Sequence, residues 1–147
     1  MSTATLREAL PGDVLHILAL IRELVAADGP GSVSTLREPD ILRFAAQPGN
    51  VILLAESGGQ VAALLSYTVS CDLWHAGECC LIRELIVSAA YRRRGLGGLL
   101  LEEVLRRAAA GGWQEVSVST APDNLAALAL YRRHGLTDEA VLLERHL

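Results

Sequence analysis

The chain contains no lysine among its 147 residues, and its 13 strongly basic side chains are therefore all arginines. A Walker A phosphate loop requires a lysine directly after its second glycine, so the sequence excludes a nucleotide site of that class. Aromatic residues are also scarce, at 4%, and the formal net charge is −4. An acidic balance argues against the broad basic surface that nucleic acids require, and we expect no nucleic-acid partner.

Long apolar runs are absent as well, although 51% of the residues are hydrophobic. No run reaches the length that crosses a bilayer, so we expect no membrane partner. The first five residues also lack the charged and apolar segments of a signal peptide. We therefore expect a cytoplasmic protein, with residues 1–147 forming a single domain of ordinary size.

Cysteines number three, namely Cys71, Cys79 and Cys80, and no pair has the C-x-x-C spacing of a metal site. We expect no bound metal. Buried thiols in a reducing compartment are the simplest interpretation of these residues. Cys79 and Cys80 remain weaker candidates for an acyl-carrying nucleophile.

Hydrophobic periodicity predicts the secondary structure in the order β-α-α-β-β-β-α-β-α-β. The predicted strands are 5–8, 51–56, 61–70, 79–88, 113–120 and 141–147. The predicted helices are 14–25, 39–46, 96–110 and one from about 124 to 134. In the second helix, Ile41, Leu42 and Ala45 are expected to face inward. Hairpin strands followed by β-α-β crossovers predict an α/β fold with a mixed sheet covered by helices.

The stretch from Arg92 to Gly98 reads Arg-Arg-Arg-Gly-Leu-Gly-Gly and lies between a predicted strand and a predicted helix. Glycines that open a helix expose backbone N–H groups at the positive end of its dipole, and these groups bind phosphate. Arginines add donors that match phosphate geometry. The alternative is a tight turn with solvated arginines. The spacing stops short of the G-x-G-x-x-G fingerprint of dinucleotide-binding folds.

Two motifs in this order resemble landmarks of the GNAT superfamily of N-acetyltransferases. The first is Arg83-Glu84-Leu85-Ile86-Val87 followed by Arg-x-x-Gly-x-Gly at 92–97. The second is the segment from Asn124 to Tyr131, which ends in His134-Gly135. The resemblance implies the GNAT fold: a mixed, mostly antiparallel sheet whose central parallel strands splay apart, with helices on both faces. It also implies acetyl-CoA as co-substrate, with direct transfer of the acetyl group to a primary amine.

The resemblance further implies which residues contact acetyl-CoA. The pantetheine arm would pair with the main chain of Leu85, Ile86 and Val87 and would bond to Asn124. The pyrophosphate would be held by a loop formed of Arg92, Arg93, Arg94, Gly95, Leu96, Gly97 and Gly98. Tyr131 would act as the general acid that protonates the departing thiolate, and its alternative is a core tyrosine.

Glu84 is the first candidate for the base that deprotonates the amine, because the family often has an acidic residue there. A salt bridge with Arg83 or Arg92 is an equally open interpretation. Glu78 and His75 are weaker candidates for the same role. Asn124 is also expected to cap the helix that follows it.

The acceptor amine is not specified by these motifs. The first helices and the segments 27–40 and 71–78 are expected to shape its site, and the acidic residues of these segments could attract a cationic small molecule. A protein N-terminus or lysine as acceptor, or a non-catalytic acyl-CoA-binding regulator, are the alternatives. Because the predicted last strand is short and could expose an edge, we expect a homodimer whose partner helps to wall the cleft.

Overall fold

The computed structural model describes residues 3–147. Within this range, five strands form one sheet in the order β1-β2-β3-β4-β5. Its strands are β1 (Thr5–Glu8), β2 (Asn50–Ser57), β3 (Gln60–Asp72), β4 (Gly77–Val87) and β5 (Glu115–Val118). All neighbours are antiparallel except β4 and β5, which are parallel.

Four α-helices in the described chain cover both faces of this sheet. They are α1 (Val14–Ala26), α2 (Glu38–Ala46), α3 (Leu96–Gly111) and α4 (Leu125–Arg133). The α3 helix makes the crossover from β4 to β5. Residues 52–55 of β2 and 62–65 of β3 are all apolar and buried, because helices cover both faces of the sheet at this point.

Two clusters of buried side chains lie on opposite faces of the sheet. Ile52, Leu54, Leu64 and Ile86 pack against α1 and α2. Leu53, Leu65, Tyr67 and Ile82 pack against α3 and α4 on the other face. The predicted fold class is therefore confirmed: a mixed, mostly antiparallel sheet with helices on both faces.

One predicted element is wrong. Residues 141–147 form no strand in the described chain, and every one of them is exposed. Without that strand, β5 has only β4 as a neighbour, so the parallel pair lies at the edge of the sheet instead of its centre. The prediction failed because three successive apolar residues, Val141 to Leu143, were interpreted as strand-forming although no partner strand lies beside them.

Two smaller predictions also differ from the structure. Half of the segment 71–78 is strand, because β3 extends to Asp72 and β4 begins at Gly77, which leaves a turn at 73–76. In α2, Ile41 is buried as expected, but Leu42 and Ala45 are exposed and the partly buried Phe44 packs inward instead. Among the described residues, no helix has both the length and the hydropathy needed to span a membrane.

Candidate active site

A gap opens where β4 and β5 separate. The two strands pair only from Cys79 with Glu115 to Ile82 with Val118. Beyond Ile82, β4 continues to Val87 and stays paired with β3 alone. Alternate main-chain groups of residues 83–87 therefore face away from β3 without a strand beside them. This unpaired strand edge contains the predicted pantetheine-pairing residues Leu85, Ile86 and Val87.

A β-bulge at Arg83 sets the direction of Glu84. Ser66 is paired with Glu84, whereas the next residue, Tyr67, is paired with Ile82, so Arg83 is the extra residue. A bulge reverses the alternation of side chains along the strand. Ile82 thus faces α3 and α4, while Glu84 faces α1 and α2 and lies at the start of the gap.

The loop from Arg92 to Gly95 leads into α3 with two residues in left-handed conformation, Arg93 (φ +61°) and Gly95 (φ +76°). The first main-chain hydrogen bond of α3 is donated by Leu99 N–H to the Gly95 carbonyl, at 3.0 Å. The N–H groups at 96–98 consequently have no intrahelical partner. The turn expected between the strand and the helix is therefore present, and tight turns of this kind can gather N–H groups towards an anion.

The glycines of the loop differ in what the backbone requires of them. A Cβ on Gly95 would meet no atom within 4 Å, but its positive φ disfavours other residues. A Cβ on Gly97 would lie 3.4 Å from Leu130 and 3.7 Å from the Val87 side chain, and one on Gly98 would lie 3.6 Å from His134. These are ordinary van der Waals distances, so the packing of α3 against α4 does not by itself require glycine at either position.

The three loop arginines have different contacts. The Nε of Arg92 donates to the Val87 carbonyl at 3.2 Å, and its guanidinium lies 3.8 Å from Glu23. The Arg94 guanidinium lies 5.2 Å from the ring centroid of Tyr91, a cation–π distance. All three arginines are exposed, so positive charge surrounds the free N–H groups.

Tyr131 lies in the core cluster on the α3 and α4 face, and its side chain is 8% exposed. Burial raises the pKa of its hydroxyl above the usual value. The hydroxyl has no hydrogen-bond partner among the described residues. In the described chain, every side-chain oxygen that is fully enclosed has a hydrogen-bond partner. The unpartnered hydroxyl of Tyr131 is therefore not fully enclosed, and solvent can contact it. A protonated, unpartnered phenol is a suitable proton donor.

Asn124 is the N-cap of α4, as predicted. Its Oδ1 accepts the Ala127 N–H at 3.2 Å, which leaves its amide nitrogen available for another acceptor.

A pocket of about 130 Å³ lies beside Glu84 on the α1 and α2 face. Its polar lining consists of Glu84, Ser66 and Asp40. Its apolar lining consists of Ile17, Ile21, Leu36, Ile41, Phe44, Ile52 and Leu64. Leu36 and Asp40 come from the predicted acceptor segment 27–40, whereas no residue of 71–78 contributes. The sequence analysis missed Phe44, the only phenylalanine of the chain.

Glu84 carries a charge that no cation balances. Its carboxylate accepts a hydrogen bond from the Ser66 hydroxyl and forms no ion pair with any described residue. Arg83 instead donates to Thr68 at 3.2 Å, and Arg92 lies near Glu23. The salt bridge that the sequence analysis considered for Glu84 is therefore not formed within the described chain.

Asp72, His75 and Cys79 are the described side chains that could hold a metal, with donor atoms within 4.8 Å of one another. The His75 ring nitrogens lie 2.8 Å from Asp72 and 3.1 Å from Glu115, and these acidic neighbours raise the pKa of His75. Burial and the same carboxylates raise the pKa of the Cys79 thiol. The cluster lies at the start of β4, at the opposite end from the gap. His75 is thus remote from Glu84, and a protonated Cys79 makes a weak nucleophile.

β4 continues past the end of its pairing with β5 and leads into a turn with unbonded N–H groups, which is the arrangement that the resemblance to the GNAT superfamily implies for acyl-CoA. The family model for the acetyltransferase (GNAT) family matches residues 18–136. The chain belongs to this family.

Curated relatives include mycothiol acetyltransferases. The one from Mycobacteroides abscessus is 34% identical over 125 residues, which cover 82% of this chain and 40% of that protein. The one from Clavibacter sepedonicus is 34% identical over 140 residues, or 93% of this chain and 41% of that protein. The chain thus spans about two fifths of the length of these relatives.

Solved structures agree in fold over nearly the whole chain. A transcriptional regulator from Bacillus halodurans superposes with a TM-score of 0.87 at 20% identity, covering 99% of this chain and 100% of the other. An aminoglycoside acetyltransferase from an uncultured soil metagenomic sample, solved with trehalose, gives 0.81 at 19% identity and covers 98% and 95%. At these identities the likeness concerns the fold.

Proposed function

We propose that the protein is an acetyl-CoA-dependent N-acetyltransferase that moves the acetyl group directly to a primary amine of a small molecule. The observation that carries this proposal is the gap between β4 and β5, with Glu84 at its start and the free N–H groups of α3 at its end. Membership of the family and the acetyltransferases among its relatives support the same activity.

Acetyl-CoA fits the gap in two respects. The N–H groups of residues 93–98 and the nearby arginines are suited to its pyrophosphate, and the unpaired edge of β4 is suited to its peptide-like pantetheine arm. An N–H group among residues 85–87 would then polarise the thioester carbonyl. The acetyl group would lie where β4 leaves β5.

The amine must lose a proton before or as it attacks the thioester carbon. Glu84 is the proposed base, because its carboxylate faces the pocket, has only a hydroxyl partner, and is free of arginine contacts. The amine nitrogen forms the new bond to the acetyl carbon, and its proton passes to Glu84 directly or through one water.

Collapse of the tetrahedral adduct breaks the bond between the carbonyl carbon and sulfur. The departing thiolate takes a proton, which we assign to Tyr131 because its buried hydroxyl has a raised pKa and no protein acceptor. Glu84 and Tyr131 lie on opposite faces of the sheet, so a thioester threaded through the gap would have the base on one side and the acid on the other.

Thiol release from acetyl-CoA, measured over a panel of amines, tests the activity. Cys71 is exposed and would react with the thiol reagent, so a Cys71→Ser background removes that signal. Amine-dependent release is expected. A protein that binds acetyl-CoA but releases no thiol with any amine would instead be an acyl-CoA-binding regulator.

Calorimetry of an Arg94→Glu variant tests the cofactor loop. We expect acetyl-CoA affinity to fall on the order of tenfold at low salt, and less at high salt. Arg106→Glu is the matched control, since Arg106 lies on the same helix about 15 Å beyond its start. Equal affinities for the two variants would argue against pyrophosphate binding at this loop.

A further inference from the structure

The pocket next to Glu84 has a defined floor and roof. One row of side chains, Ile52, Ser66 and Glu84, lies side by side across β2, β3 and β4 and forms the floor. The helices α1 and α2 form the roof, to which α1 contributes Ile21 and α2 contributes Phe44. Ser66 and Glu84 therefore make the floor polar on the side of the gap, whereas Asp40 is the polar residue that the roof contributes.

The volume of the pocket limits what it can hold. It measures about 130 Å³, and its walls are mostly aliphatic and aromatic. For comparison, an apolar protein cavity of about 150 Å³ binds benzene. The space beyond Glu84 thus matches a single ring or a short branched alkyl group.

The charges of the pocket limit the number of ammonium groups. Asp40 is already neutralised, because it lies 2.6 Å from Arg43 and 3.5 Å from Arg37 and accepts the Arg37 N–H. These contacts hold the pKa of Asp40 below its usual value. Glu84 is the remaining carboxylate of the lining, and it has no cationic partner among the described residues. One uncompensated carboxylate suits one ammonium group.

The geometry points to an acceptor that is a monoamine carrying one benzene-sized apolar group, with its nitrogen at Glu84 and the apolar group beneath α1 and α2. This inference rests on the proposed function, because it takes the pocket as the acceptor side of the same gap. It sets the chain apart from enzymes whose acceptors are polycationic sugars, since such acceptors would leave several ammonium groups against apolar walls.

The test compares kcat/KM for 2-phenylethylamine, ethylamine, spermidine and kanamycin in the Cys71→Ser background. Burial of the phenyl group predicts a preference of about 10- to 100-fold over ethylamine. We expect 2-phenylethylamine to exceed spermidine and kanamycin by at least about tenfold. Equal values for ethylamine and 2-phenylethylamine, or a preference for either polyamine, would overturn the inference and leave the acetyltransferase activity standing.

Substitutions of Phe44 test whether this pocket is responsible for the preference for 2-phenylethylamine over ethylamine. Phe44→Ala should lower kcat/KM for 2-phenylethylamine about tenfold or more but change that for ethylamine little, because the lost contact is to the ring. Phe44→Leu serves if the alanine variant does not fold. Leu105→Ala, on the opposite face of the sheet, controls for general destabilisation. A Phe44 variant that lowers both amines equally contradicts the assigned position of the ring.

A binding measurement separates this inference from the proposed function. Should no amine be acetylated, calorimetry of 2-phenylethylamine with the CoA-saturated protein still tests the pocket. Binding at least about tenfold tighter than that of ethylamine would support the pocket assignment while refuting the enzymatic proposal. Absence of such a difference would overturn the inference.

Discussion

Replacing Tyr131 by phenylalanine should lower kcat by at least about tenfold, the usual minimum for loss of a general acid. A tenfold loss corresponds to about 1.4 kcal/mol of transition-state stabilisation. Stability should change by less than about 0.5 kcal/mol, because the ring stays in place and the hydroxyl has no protein partner to lose. Affinity for acetyl-CoA should be nearly unchanged.

The matched control is Tyr67→Phe. Tyr67 lies in the same core cluster, but its hydroxyl accepts a hydrogen bond from Arg107 at 3.1 Å. This variant should lose about 1 kcal/mol of stability and keep the wild-type kcat. Steady-state kinetics measure kcat of both variants, and urea denaturation measures their free energies of unfolding. A Tyr131→Phe variant with wild-type kcat would remove Tyr131 from the mechanism and leave water as the proton source.

The pH dependence gives a second check on Tyr131. Because burial raises its pKa above the usual value near 10, the phenol stays protonated throughout the neutral range. Loss of this proton should therefore lower wild-type kcat only above about pH 10. Any decline of kcat at lower pH should be present in the Tyr131→Phe variant as well. A limb near pH 8 that disappears in this variant would contradict the assignment.

Three further predictions concern stability, thiol reactivity and assembly. Arg7 holds the pKa of buried Asp13 down at about 2, from 3.8, so Asp13→Asn should cost about 2 kcal/mol at pH 7. Since the folded pKa is depressed, this contribution is present above about pH 4 and is lost as the pH falls towards 2, which urea denaturation at each pH would show. A thiol reagent should modify exposed Cys71 in the native protein, whereas Cys80, whose pKa burial raises to about 12, should react only after unfolding. Sedimentation at micromolar concentration should detect a dimer of the wild-type protein, and a wild-type monomer would refute this prediction. Deletion from Glu144 onward should weaken the dimer, since residues 141–147 are exposed and the outer edge of β5 is unpaired among the described strands.

The sequence was sufficient for the features that depend on local chemistry. Glycines at 92–98 indicate a tight turn because few other residues adopt positive φ, and the structure has positive φ at Gly95 and also at Arg93. Asn124 followed by an apolar helix indicates an N-cap, and the structure has that cap. Apolar residues at 51–56 and 61–70 indicate strands, and the structure has strands there.

Features that depend on register could not be predicted in this way. The face on which Glu84 lies is set by the bulge at Arg83, and an apolar strand has no alternation that would reveal it. One feature of the sequence could have indicated the bulge. Arg83 and Glu84 are adjacent charged residues inside an apolar run, and a strand covered on both faces would bury one of them unless its register shifts. Phe44 was missed because its helix is short, so periodicity distinguished poorly between its faces.

The strand predicted at 141–147 failed for a related reason. An isolated apolar segment has strand propensity, but a strand forms only where a neighbour offers main-chain partners. The order of the predicted elements along the chain does not indicate whether β5 provides main-chain partners for residues 141–147.

Hydrogen exchange of the backbone amides, with and without saturating CoA, tests where the cofactor binds. We expect the N–H groups of residues 93–98, in the turn before α3 and in its first three residues, to exchange fast alone and to gain protection when CoA binds. Residues 73–76, in the turn at the far end of the sheet, should show no change. Saturating CoA binding that leaves 93–98 unprotected would contradict the location of the cofactor site, and with it the proposed active site.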